Sequence, residues 1–110
     1  MKISEVVDKT ALEALNGWED EDLAGGVYIS DMVSDIITGA NGCGLLITLQ
    51  THKSLIAAAN LVDVGAVVFA HGKRPAADVV ELADKAGITL FTTPDDTWSY
   101  AVKLFELGVR

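Results

Sequence analysis

The chain is poor in cysteine and proline. A single Cys43 and two prolines, Pro75 and Pro94, stand among 110 residues. A lone cysteine excludes an internal disulfide framework and reads as a reduced, structural thiol, so the expected compartment is the cytoplasm. Basic residues are also scarce: eight Lys and Arg face sixteen Asp and Glu, for a net charge of −8. That balance excludes a nucleic-acid backbone as the main partner. No apolar stretch approaches the roughly 20 residues that a membrane-spanning helix needs. The opening Met1-Lys2-Ile3-Ser4-Glu5 is acidic by position 5 and lacks the apolar core of a signal peptide. Half of the residues are hydrophobic and 22% are charged, which excludes disorder. The length gives one domain over residues 1–110.

What is present is a repeated unit of strand, turn and helix. Leu45-Leu46-Ile47-Thr48, Ala66-Val67-Val68-Phe69-Ala70 and Ile88-Thr89-Leu90-Phe91-Thr92 are short apolar runs that each end at a polar turn and start about twenty residues apart. That interval fits one short helix between successive strands, so the strands are expected to be parallel. The first helix follows Thr51-His52-Lys53-Ser54 and runs over the alanine-rich Leu55-Ile56-Ala57-Ala58-Ala59-Asn60-Leu61. The second opens at His71-Gly72-Lys73-Arg74-Pro75, with Pro75 in its first turn, and stops at Gly87. The third opens at Thr93-Pro94-Asp95-Asp96, with Pro94 and two acids in its first turn, and ends at Gly108. Trp98, Ala101, Val102 and Phe105 are expected to be its inward face.

Before the repeat, Lys2 to Thr10 reads as a helix, and Ala11 to Leu15 as an edge strand or a continuation of that helix. Glu19-Asp20-Glu21-Asp22 reads as a solvated loop, without the spacing of a calcium loop. Val27-Tyr28-Ile29 is a further strand. Ser30-Asp31 is expected to cap a helix through Ile37 whose buried stripe is Met32, Val33, Ile36 and Ile37. The fold class is therefore α/β: a layered, mostly parallel sheet of four to five strands flanked by helices. Consecutive helices are expected on one face, with the first helix or the Ser30–Thr38 helix on the other.

All the polar turns then share one edge of the sheet, the edge at which open α/β folds place ligands. Both histidines and three of the eight basic residues fall in two of those turns. The candidate ligand-binding residues are Asp31, Thr48, Gln50, Thr51, His52, Lys53, His71, Gly72, Lys73, Arg74 and Thr93. Two cationic loops that lead into helix N-termini suit a phosphate or a carboxylate, because those termini offer free N–H groups and the positive end of a dipole. His52 and His71, even with Asp31 or Asp35, make a thin metal set, so no metal is assigned. Ser34 has no nucleophile elbow, and no Gly-Lys-Ser/Thr phosphate loop occurs. Gly42-Cys43-Gly44 precedes a strand, so it is no dinucleotide fingerprint. No catalytic residue and no cofactor is assigned.

Four stretches carry a family likeness: Gly26-Val27-Tyr28-Ile29-Ser30-Asp31-Met32-Val33-Ser34-Asp35, Leu46-Ile47-Thr48-Leu49-Gln50-Thr51-His52, Gly72-Lys73-Arg74-Pro75, and Leu104-Phe105-Glu106-Leu107-Gly108. Through them the chain resembles the stand-alone DRTGG-domain proteins, whose fold is similar to the N-terminal domain of HPr kinase (and, in the same class, of MurF). The resemblance implies a regulatory or scaffolding domain of the kind found beside CBS domains in some pyrophosphatases. It also implies a protein partner of the hydrogenase-related or CBS-containing kind. Separately from the resemblance, an apolar surface on the first helix or the last is expected to make a symmetric homo-oligomer. The chain departs from the name motif: Thr51-His52 stands where such domains have Asp-Arg, and Ala70-His71-Gly72 where they have Thr-Gly-Gly, with Gly72 and Pro75 retained. Three functions compete. The first is a non-catalytic module that binds a small anion or nucleotide at the strand ends. The second is a protein-interaction module, a homodimer docking on a redox or metabolic enzyme. The weakest is a kinase-like enzyme, which has no motif behind it.

Overall fold

The computed structural model describes residues 1–109. Its elements are α1 (Ile3–Lys9), β1 (Glu13–Ala14), β2 (Val27–Ile29), α2 (Val33–Gly39), β3 (Leu45–Thr48), α3 (Lys53–Leu61), β4 (Ala66–Phe69), α4 (Ala77–Ala86), β5 (Thr89–Thr92) and α5 (Thr97–Leu107). The five strands form one sheet in the order β1-β5-β4-β3-β2. β2, β3, β4 and β5 are parallel, with Ile47 opposite Val68 and Val68 opposite Phe91. β1 closes the far edge antiparallel to β5, with Glu13 opposite Thr92. The Ala11–Leu15 segment is thus an edge strand.

The central strands are apolar along their whole length because both faces are covered. Every residue of β3 and β4 is buried. Alternate side chains feed two separate cores, as the two-residue period of a strand requires. Leu46, Val67, Phe69 and Leu90 pack under Ile36 of α2, Leu55, Ile56 and Ala59 of α3, and Val79 and Ala83 of α4. Leu45, Ile47, Val68 and Phe91 pack on the other side under Ile3 and Val6 of α1 and Tyr100 and Leu104 of α5. So α2, α3 and α4 share one face, and α1 and α5 share the other. The first helix covers the second face as expected, joined there by the last.

Four local expectations are corrected. The α5 face toward the sheet is Tyr100 and Leu104, with Trp98 77% and Phe105 60% exposed. In α2 only Ile36 is buried, while Met32 and Ile37 are exposed, since this helix sits at the β2 margin with cover on one side. Asp31 does not cap α2; its carboxylate is taken by the end of β3, and the Ser30 hydroxyl accepts from the Met32 N–H at 3.2 Å. Pro75 and Pro94 both lie ahead of their helices. Extended backbone at Ala76 (φ −64°, ψ 159°) and Asp96 (φ −69°, ψ 166°) delays α4 and α5 to Ala77 and Thr97.

The acidic run is solvated and also does a structural job. The Asp20 carboxylate accepts from the Ser4 N–H at 3.0 Å and the Ser4 hydroxyl at 2.9 Å. Those are donors at the open start of α1, so a loop sixteen residues away completes this helix N-terminus. The Ser4 N–H, first among the causes, holds the Asp20 carboxyl below its ordinary value.

Candidate functional site

The C-terminal ends of the parallel strands meet at one edge, and the sequence-derived candidates gather there. Register pairs Thr48 with Phe69 and Phe69 with Thr92. Asp31 follows β2, Gln50 to Lys53 follow β3, His71 to Arg74 follow β4, and Thr93 follows β5. The two histidines therefore stand at a common rim, on loops that leave neighbouring parallel strands.

Several candidates there are occupied by the fold. Asp31 Oδ1 accepts from the Leu49 N–H at 2.7 Å and the Thr48 hydroxyl at 3.3 Å. Thr48 is buried, and its Oγ1 accepts from the Gln50 N–H at 3.0 Å. The Gln50 side-chain carbonyl accepts from the His52 N–H at 3.1 Å. Thr93 is buried, its N–H donating to the Phe69 carbonyl and its Oγ1 accepting from the Asp95 N–H at 3.3 Å. These four side chains brace the loops. Thr51 is half-buried beside them.

Two of the three rim cations are paired. Lys53 meets Asp78 of α4 at 3.1 Å, and this contact holds the Asp78 carboxyl below its ordinary value. Arg74 reaches Glu13 of β1 at 2.7 Å. Both pairs are solvent-exposed, so each is readily exchanged for another anion. Lys73, His52 and His71 have no side-chain hydrogen bond or ion pair among the described residues, and the His71 ring lies close enough to help hold the Asp96 carboxyl low, behind the larger effect of the Ser99 N–H. Glu13, Asp78 and Lys103, the last paired with Asp95 at 2.6 Å, belong to the site environment and were invisible in the sequence. They come from elements whose contact with the rim is set by sheet order, which spacing does not encode.

His71 and Gly72 form the most constrained part of the rim. Both have left-handed backbone, φ 58° and 65°, and the Lys73 N–H returns to the Ala70 carbonyl at 3.1 Å. Positive φ at both central residues with that bond is the pattern of a type I′ turn. His is among the few non-glycine residues that tolerate it. The turn is held from the neighbouring loop: the His71 N–H donates to the Asp95 carbonyl at 2.8 Å and the Gly72 N–H to the Thr93 carbonyl at 2.7 Å. On the other side the Thr92 hydroxyl donates to the Lys73 carbonyl at 2.7 Å.

Connectivity decides where this edge opens. The chain leaves β2, β3 and β4 toward the same face, that of α2, α3 and α4, so those loops turn the same way. It leaves β5 toward the opposite face, that of α5. Beyond the two hydrogen bonds that join them at His71 and Gly72, the loops after β4 and β5 turn to opposite faces, which is the condition for a ligand crevice in an open sheet. A depression of about 330 Å³ lies there, lined by Gly72, Arg74, Thr92 and Pro94 and by Thr10 to Glu13 ahead of and within β1.

A larger cavity, about 610 Å³, lies at the opposite edge, where Gly44, Gly65 and Ile88 lead into the strands and Trp18 and the acidic loop overhang them. Cys43 lines it but is buried, and burial pushes its thiol up from the ordinary value, consistent with an unreactive structural thiol. Among the described residues no three His, Cys, Asp or Glu side chains gather as a metal-binding group. Ser34 stands in the first turn of α2, and the carboxylate of Asp35 beside it accepts from the Tyr28 hydroxyl at 2.9 Å.

No protein-family model matches the chain, and no curated protein matches it. Among solved structures it is similar to the CBS and DRTGG domains of the regulatory region of Clostridium perfringens pyrophosphatase, crystallised with the activator diadenosine tetraphosphate. The TM-score is 0.77 at 21% sequence identity, and the match covers 93% of this chain and 45% of that one. This chain thus spans less than half the length of its structural neighbour. The likeness establishes the fold: a DRTGG-like α/β fold of the kind found in an enzyme's regulatory region. No helix among the described residues is long and apolar enough to cross a membrane.

Proposed function

We propose that this chain is a single-domain, non-catalytic sensing module of the cytoplasm that binds an anionic ligand of the nucleotide or phosphate class. The site is the crevice between the β4–α4 and β5–α5 loops. The observation that carries this reading is the left-handed His71-Gly72 turn at the point where the two outgoing loops part. Backbone held in a sparsely populated conformation by its neighbours is a recurrent feature of ligand clamps. In this reading the phosphate displaces Glu13 from Arg74, Lys73 supplies a second charge, and His71 donates from the turn. His52 and Lys53, one strand over, meet the far end of a longer ligand. Thr51 and Gly72 let backbone approach it, while Asp31, Thr48, Gln50 and Thr93 hold the loops in place. The nucleotide-activated regulatory region with the same fold supports this class of ligand.

Thermal denaturation with inorganic phosphate, AMP, ATP and diadenosine tetraphosphate tests it. A ligand at a hundred times its dissociation constant adds about 2.7 kcal/mol, which for a chain of this size raises the midpoint by roughly 10 °C or more. The expected result is such a rise with at least one nucleotide, lost in the double variant His71→Asn, Arg74→Gln. Asn keeps the left-handed turn, so the variant removes the ligand contacts and leaves the fold. A chain whose melting responds to none of the four probes, or a double variant that responds like the parent, overturns the proposal.

A further inference from the structure

α5 is apolar on two opposite faces. Tyr100 and Leu104 point into the sheet and are fully buried. On the other side Trp98 is 77% and Phe105 60% exposed, with Ala101 and Val102 half-buried between them. Trp98 and Phe105 are seven residues apart, two helical turns or about 10 Å along one line of the helix surface. An amphipathic helix needs one apolar stripe for the core, and α5 carries a second one that faces solvent beside its polar stripe of Ser99, Lys103 and Glu106.

We propose that the outer face of α5 is the contact through which two copies of this chain form a symmetric dimer, helix against antiparallel helix. Three observations select a second copy as the occupant. The stripe reads large, small, small, large, and that order is unchanged on reversal. A two-fold axis between Ala101 and Val102 places Trp98 of each copy on Phe105 of the other. Such self-complementarity is what an isologous interface requires. The small central pair lets the two helix axes approach to about 8–9 Å.

Charge points the same way. The chain carries −8 overall, yet Thr97–Leu107 holds one Lys103 and one Glu106 and is locally neutral. It is a face that an acidic chain can present to its own copy. Residual repulsion between the two copies is long-range and screened by salt, so added salt strengthens this dimer.

Area sets its strength. Aromatic side chains bury about 150–250 Å² each, so at these exposures the four central side chains offer roughly 300 Å² of apolar surface per copy. A standard interface buries about 1,600 Å² in total, near 60% of it apolar. The pair of stripes supplies roughly 600 Å² of the roughly 950 Å² of apolar area that such an interface holds. The dimer therefore belongs to the small, reversible class. This surface lies on an element separate from the β4–β5 crevice loops, and the inference does not depend on ligand binding there.

Sedimentation of the full chain from micromolar to millimolar concentration, at low and high salt, is the test. The expected result is a shift from 11.6 kDa toward twice that mass, larger at high salt. Trp98→Glu and Val102→Glu should each stay monomeric with melting unchanged in dilute solution; an acid at position 98 lies in the first helical turn, where the dipole favours it. Ala101→Cys places two thiols beside the axis, within disulfide reach, and should form a covalent dimer on mild oxidation, whereas buried Cys43 in the parent should not. A parent that remains monomeric throughout, a Trp98→Glu variant that dimerises like the parent, or a dimer in which Ala101→Cys fails to cross-link would each overturn the inference.

Discussion

At the scale of the residue, two non-glycine positions with left-handed backbone have different causes. Asp63 (φ 55°) follows α3, and the Val64 N–H returns to the Ala59 carbonyl at 3.1 Å. The same bond closes α4 after Gly87, from Ile88 to Ala83, and α5 after Gly108, from Val109 to Leu104. Three helices thus end in one motif, and one of them lacks the glycine it favours. Asp63→Gly is expected to raise stability by about 0.5–1 kcal/mol, read as a melting midpoint roughly 2–8 °C higher. His71 has no helix to terminate; the neighbouring loop holds its turn, which is why the proposed site is built around it. Its position at the rim was legible, because a polar turn after an apolar run places it there. Its backbone state was not, since His-Gly after a strand is compatible with several turns and the Asp95 and Thr93 carbonyls decide among them. Asp31 was misassigned as a cap for a related reason. A carboxylate at a helix start normally accepts from that helix, but two donors at the end of β3 are closer to hand.

At the scale of the element, α5 shows how far periodicity reaches. The helix and its glycine stop were legible. Which face turns inward was not, because two apolar stripes lie half a turn apart and both satisfy the 3.6-residue period. Tyr100 decides the matter. It is fully buried, and its hydroxyl meets Thr10 Oγ1 at 2.9 Å. Thr10 spends its only proton on the Val6 carbonyl at 2.6 Å, so Tyr100 is the donor. This bond ties α5 to the end of α1. Burial, the leading cause, pushes the Tyr100 phenol well above its ordinary value. A raised value in the folded state means stability that is complete below the unfolded value of about 10 and is lost as pH rises beyond it. Tyr100→Phe should lower stability near neutrality by about 1 kcal/mol in chemical denaturation. It should also remove this residue's share of the alkaline loss; a variant that loses stability above pH 10 as steeply as the parent would contradict the assignment.

At the scale of the whole molecule, sheet class, strand direction and the shared rim were all legible. Apolar runs of four or five residues that start about twenty residues apart leave little else to build. The crevice was not, because it depends on the face to which the chain turns after β5, and a sequence period is blind to faces. Acid behaviour is likewise a collective property. Asp20, Asp78 and Asp96 are held below the ordinary carboxylate value, chiefly by the Ser4 N–H, Lys53 and the Ser99 N–H respectively. Lowered values in the folded state mean stability that is present above the unfolded value of about 3.9 and lost as pH falls through the folded ones. Between neutrality and the isoelectric point near 4.4, protonation elsewhere relieves the repulsion of an acidic chain. The melting midpoint should therefore hold level from pH 7 to near the isoelectric point and fall below it. Asp96→Asn should flatten the fall, and a parent whose midpoint declines steadily from pH 7 would contradict this account.

The winding order has a consequence for how the molecule is made. From β3 to β5 each strand lies against the one that precedes it in the chain, so during synthesis every new βαβ unit finds its docking surface already extruded. α1 and β1 are the exception: they come before β2 in the chain, but their partners, α5 and β5, come after β4. That segment must wait, apolar side chains uncovered, until β5 and α5 have been made, and its docking is the step that seals the second core.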